Sequence, residues 1–134
     1  LKKRNYPEYD LQKQVCEWLD WQYPDVNYMS DTVAFLRLTI PQANRNKKIQ
    51  KDGFKTPDLI IFRPMGGYSA MFMELKVETP WKKNGDLKKS EHLEGQGRTI
   101  LDLREEGYWA DFSWGFDNSI NHIKNYLNGN YMRE

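Results

Sequence analysis

The sequence holds one cysteine, Cys16, and two histidines, His92 and His122, among its 134 residues. A lone thiol excludes an internal disulfide and a cysteine-rich zinc site, and two distant histidines without cysteine partners make no zinc motif. Long apolar runs are also missing. None approaches the roughly 18 residues of a membrane span, and the start, Leu1 to Pro7, lacks the apolar core of a signal peptide. The expectation is an intracellular, cytoplasmic protein in a reducing compartment, with no membrane partner. Internal repeats and low-complexity tracts are absent as well.

What is present is aromatic and segregated in charge. Apolar residues make up 39% and aromatics 14%, enough buried area to offset chain entropy and argue against disorder. The length suits one core and is short for two, so 1–134 reads as a single domain. The net charge of +1 conceals a separation. Residues 41–56 carry Arg45, Lys47, Lys48, Lys51 and Lys55 against Asp52, and residues 79–90 carry Lys82, Lys83, Lys88 and Lys89 against Asp86. The final third is mostly acidic. The basic segments are either a polyanion-binding face or solvated loops.

Periodicity predicts a helix over Glu8 to Tyr23, where Leu11, Val15, Trp18 and Leu19 share a face and Pro24 stops it. Val26 to Ile40 is ambiguous: Val33, Phe35, Leu38 and Ile40 allow a short strand or an irregular element. A short helix from Pro41 through Lys51 would stop at Asp52-Gly53. Strands are expected at 58–62 and 70–77, paired as an antiparallel hairpin across a turn with Pro64, Gly66 and Gly67. Residues 79–90 read as an exposed loop. A helix over Glu91 to Glu106 leads to a third strand at 108–114, which a crossover would set parallel to the second. A last helix, about Asn118 to Leu127, would turn Ile120, Ile123 and Leu127 inward. The fold class is α/β, a small mixed β-sheet flanked by α-helices.

The chemistry lies in Pro57-Asp58 and Glu74-Leu75-Lys76. Side chains alternate along a strand, so Glu74 and Lys76 share one face and Leu75 takes the other. With Asp58 opening the neighbouring strand, two carboxylates meet in one negative site, which calls for a hard cation. Mg²⁺ takes one or two carboxylates with waters and phosphate oxygens, matching Asp58, Glu74 and the Leu75 carbonyl. Lys76 would orient a water or stabilise charge developing on a phosphate. The bland alternatives are a turn-forming Asp58 and a surface pair of Glu74 and Lys76. The apolar run from Met71 to Val77 argues for a strand buried on both faces, where a surface pair has no place.

The chain resembles the PD-(D/E)xK nucleases, and within them the VRR-NUC group of virus-type replication and repair nucleases. The resemblance runs in order through Glu8-Tyr9-Asp10-Leu11-Gln12, Gly53-Phe54-Lys55-Thr56-Pro57-Asp58-Leu59-Ile60, Phe72-Met73-Glu74-Leu75-Lys76, and Gln96 ahead of Glu105-Glu106-Gly107-Tyr108-Trp109-Ala110. It departs from the group's pattern at Thr56, where a small residue or Gly is usual, and in the longer spacing before Gln96. The resemblance implies a restriction-endonuclease-like core and Mg²⁺ or Mn²⁺ as cofactor. Asp58 and Glu74 would be ligands, Lys76 the catalytic lysine, and Glu8 and Gln96 supporting groups. It implies a structure-specific DNA endonuclease of bacterial or phage type, with Holliday junction resolution as the expected activity. A four-way junction is cut twice, so a homodimer is expected from that symmetry.

The supporting residues have second readings. Gln96 shares the inward stripe of Ile100 and Leu103 and is either a satisfied core amide or a site residue. Glu8 is either a site residue or a complement to its helix dipole. Trp81 either stacks on an unpaired base or covers the core edge. Competing functions are a restriction-type, nick- or flap-directed nuclease, and a non-catalytic DNA-binding module of the same fold.

Overall fold

A computed structural model describes residues 6–32 and 36–134. Its elements are α1 (Pro7–Gln22), β1 (Tyr28–Ser30), α2 (Ile40–Lys48), β2 (Leu59–Ile61), β3 (Met71–Lys76), α3 (Glu91–Glu105), β4 (Trp109–Trp114) and α4 (Gly115–Leu127). The four strands form one sheet in the order β1-β2-β3-β4. The first two pairings are antiparallel and β3 with β4 is parallel, as the sequence predicts for the crossover through α3.

Register decides which side chains face which layer. Leu59 opposes Met73 and Ile61 opposes Met71, while Trp109 pairs with Met71. These residues join Leu11, Val15 and Leu19 of α1 and Ile123, Tyr126 and Leu127 of α4 in the larger core. On the other face, Phe72 and Phe112 meet Ile100 and Leu103 of α3. Glu74 pairs with Phe112, so Glu74 and Lys76 belong to the α3 face, at the end of β3.

The turns follow local chemistry. Met65 and Tyr68 exchange backbone hydrogen bonds of 3.1 and 2.8 Å across Gly66 and Gly67. Both glycines have positive φ, 59° and 87°, the conformation a two-residue hairpin loop demands. After α3, the Tyr108 N–H bonds to the Leu103 carbonyl and the Gly107 N–H to that of Arg104, a Schellman ending that reverses the chain into β4.

Several elements differ from expectation. The short strand lies at Tyr28–Ser30, earlier than the Leu38 and Ile40 pattern suggests; Val33 and Phe35 fall outside the described residues. Ile40 instead opens α2 and is 80% exposed. That helix ends at Lys48, three residues short of Lys51, because it buries no side chain and only its capping box sustains it. Helix α4 starts at Gly115: the Asn118 Oδ1 accepts from the Trp114 N–H at 3.0 Å, so Asn118 caps backwards from inside the helix. Its buried residues are Ser119, Ile123, Tyr126 and Leu127, with Ile120 only half-buried. The 79–90 segment is folded, with Trp81 bridging to Leu87 and a 2.7 Å bond from the Lys82 N–H to the Asp86 carbonyl. Among the described residues, no helix is long and apolar enough to cross a membrane.

Candidate functional site

Pro57 is buried and Asp58 stands immediately before β2, beside the end of β3. The Asp58 Oδ2 accepts a 2.9 Å hydrogen bond from the Leu75 N–H, which ties the carboxylate to the strand bearing Glu74 and Lys76. The Asp58 and Glu74 carboxyl groups lie close enough for each to shift the other's pKa. Glu74 is 6% exposed, and its Oε1 accepts from Gln96 Nε2 of α3 at 2.9 Å. The inward stripe of α3 thus delivers Gln96 to Glu74. Its own Oε1 is buried with no hydrogen-bond partner.

Two carboxyl groups this close and this buried resist ionising together. Burial, then the Asp58 charge, pushes the Glu74 carboxyl up to about 9, against the pull of Lys76 and Lys55. Burial also raises Asp58, opposed by its hydrogen bonds with Glu74 and the Leu75 N–H and by the Lys76 charge. Lys76 extends along the same face, its Nζ 6.0 Å from the centre of the Phe112 ring.

These groups open onto a cleft of about 540 Å³. Its lining includes Asp58, Glu74, Leu75, Lys76 and Gln96, with Glu8 from the first turn of α1. The Glu8 side chain is exposed at the rim, a position that suits both of its readings. All six candidate site residues therefore converge from four parts of the chain.

The donor set fits a hard divalent cation. Among the described residues, no three His, Cys, Asp or Glu side chains cluster closely enough to hold a metal, so a zinc-type ligand set is absent from them. Two carboxylates and the Leu75 backbone suit Mg²⁺ or Mn²⁺, which retain waters and take phosphate oxygens.

The basic residues divide. Arg45, Lys47 and Lys48 are exposed on α2, and Lys51 follows it. Lys55 reaches the cleft itself. Lys82 and Lys83 are exposed beyond Trp81. The Trp81 ring meets Phe112 edge-on at 5.7 Å and 87° and packs on the smaller core, as its core-edge reading has it. Phe112 thus lies between Trp81 and Lys76, whose Nζ is over the same ring.

Three polar lining residues, Gln12, His92 and Glu78, have no counterpart among the expected site residues. Gln12, one turn beyond Glu8, is buried and hydrogen-bonds to the Ser30 hydroxyl and, at 3.0 Å, to the Asp31 carbonyl. Its signals in the sequence were its place in the Glu8-Tyr9-Asp10-Leu11-Gln12 stretch and its i, i+4 spacing from Glu8. His92, exposed at the cleft, belongs to no metal-ligand spacing in the sequence. Burial and the charges of Lys76 and Lys55 lower its pKa. Glu78 lies just past the Glu74-Leu75-Lys76 strand and carries no motif.

No family model and no curated protein matches the chain. A solved structure described as a VRR_NUC domain protein is similar to it, with 23% identity over 95% of this chain and 93% of that one, and a TM-score of 0.64. The chain therefore has the fold of that VRR_NUC domain protein, an α/β core with Asp58, Glu74 and Lys76 at the end of its central strands.

Proposed function

We propose that the protein is a metal-dependent, structure-specific DNA endonuclease, cutting phosphodiester bonds in branched DNA as a homodimeric Holliday junction resolvase. The observation that carries this reading is the pairing of Asp58, fixed by the Leu75 N–H, with buried Glu74 in one cleft beside Lys76. A bound Mg²⁺ or Mn²⁺ would supply Lewis acidity toward the scissile phosphate and lower the pKa of a coordinated water.

The chain's own residues do the rest. Asp58 and Glu74, with the Leu75 carbonyl, would hold the cation, and the Leu75 N–H fixes the Asp58 rotamer. Gln96 fixes Glu74. Lys76 places a positive charge beside the phosphate, where it stabilises the added negative charge of the five-coordinate transition state. Lys55 and the exposed bases of α2 hold the flanking backbone. Glu8 sits at the rim, where it can orient a water.

The test is to incubate the protein with labelled four-way junction, flap, nicked and linear duplex DNA, with Mg²⁺, Mn²⁺ or EDTA, alongside Glu74→Ala. The expected result is paired, metal-dependent cuts in the junction, lost in the variant, from a species that sediments as a dimer. Cutting of flap or nicked DNA alone reassigns the substrate. Binding without cutting by either protein identifies a non-catalytic DNA-binding module.

A further inference from the structure

Beside the catalytic cleft lies a second cavity of about 350 Å³ between α3 and the turn that follows α2. Lys55, Glu74, His92 and Gln96 line both spaces, so one opens into the other. What the second adds is Gly53 and Phe54 on one side and Glu91, Gly95 and Thr99 of α3 on the other. Resting on the nuclease reading above, we infer that this cavity receives an unpaired nucleobase next to the scissile phosphate, stacked against Phe54.

The chemistry of the lining supports a base over a sugar or a phosphate. Phe54 is a half-buried aromatic wall in a cavity whose other lining residues are glycine or polar. It offers the π-face on which any base stacks. Gly95 of α3 lines the same cavity. Polar groups for a base edge stand alongside: the Gln96 amide, whose Oε1 has no partner, and the Thr99 hydroxyl, which donates to the Gly95 carbonyl at 3.2 Å and keeps lone pairs to accept. The size is at the lower end for a ligand pocket. A base stacked and paired within a duplex cannot enter, so this site would confer preference for branch points and flaps over plain duplex. Lys55 stands where the two spaces meet, suited to the phosphate between them.

Phe54 also packs on the smaller core, so the test pairs Phe54→Leu, which keeps apolar cover, with Phe54→Trp, which restores an aromatic face. Affinity for labelled branched DNA is measured by fluorescence anisotropy in Ca²⁺, with a single abasic residue stepped through the nucleotides flanking the branch. The expected result is one position at which the abasic residue weakens wild-type binding about 5- to 150-fold. Phe54→Leu should weaken intact DNA by a similar factor, add nothing to the abasic loss at that position, and be rescued by Phe54→Trp. A flat abasic scan, or losses that simply multiply, overturns the inference while leaving the nuclease in place. A protein that neither binds nor cuts any DNA removes both.

Discussion

Glu74 concentrates the physics of the site in one side chain. Its carboxyl is held at about 9, far above its ordinary value of 4.5, chiefly by burial. A carboxyl whose folded-state pKa is raised binds more protons folded than unfolded. Its contribution to stability is therefore present below 4.5 and is lost as the pH rises toward about 9. Asp58, also raised by burial, works in the same direction. The metal-free protein is accordingly expected to lose stability between about pH 7 and about pH 9. That window lies above 6.5, the ordinary value from which burial lowers His122, whose opposite effect belongs to acid. Urea midpoints at the two pH values check this, and Mg²⁺ or Glu74→Gln should flatten the slope. An unchanged slope in Glu74→Gln would show that the proton resides elsewhere.

At the scale of elements, α2 is the least anchored helix. It buries no residue, and its start rests on a capping box: the Thr39 hydroxyl accepts from the Gln42 N–H at 3.3 Å, and the Gln42 Oε1 accepts from the Thr39 N–H at 2.9 Å. Thr39→Ala should cost the helix about 1 kcal/mol. Because nothing of α2 is in the core, hydrogen exchange should speed up in residues 40–48 while the global melting point scarcely moves. Arg45, Lys47 and Lys48 ride on this helix, so the same variant should weaken DNA binding most at low salt. A lowered melting point with unchanged exchange in α2 would contradict this account. The helix was legible in the sequence because Pro41, which opens its first turn, is a local signal. Its end was not, because Asp52-Gly53 marks a turn that the chain reaches only after the helix has already stopped for want of a buried face.

Across the whole molecule, Trp109 joins the layers at the far end of the sheet from the carboxylates. It stacks on Tyr131 at 5.5 Å and 10°, lies 5.4 Å from His122, and packs in the larger core. Tyr131 in turn bonds His122 Nδ1 at 2.8 Å, and the Arg133 N–H bonds the Gly66 carbonyl at 2.7 Å. The C-terminal residues are thereby fastened over the β2–β3 turn. Trp109→Ala should destabilise the protein by about 3–5 kcal/mol in a chemical denaturation series. Metal-dependent activity well below the new melting point should be retained, since Trp109 pairs with Met71 at the start of β3 and Glu74 and Lys76 lie at its end. Loss of activity without loss of stability would place Trp109 in the site instead.

The sequence by itself determined what depends on neighbours along the chain. Alternation along β3 put Glu74 and Lys76 on one face. The paired glycines set the hairpin, Gly107 the reversal, and the crossover the parallel pairing of β3 with β4. Periodicity likewise placed Gln96 inward. Tertiary structure decided what depends on packing between distant elements. Helix α1 against the sheet brings Glu8 and Gln12 to the cleft, α3 lowers Gln96 and His92 over it, and Phe112 draws Trp81 inward. The raised carboxyl pair belongs to this second kind. Motif spacing names the two acids, but only burial at the end of the sheet fixes the proton, because the cost of charge depends on water excluded by side chains far away in sequence.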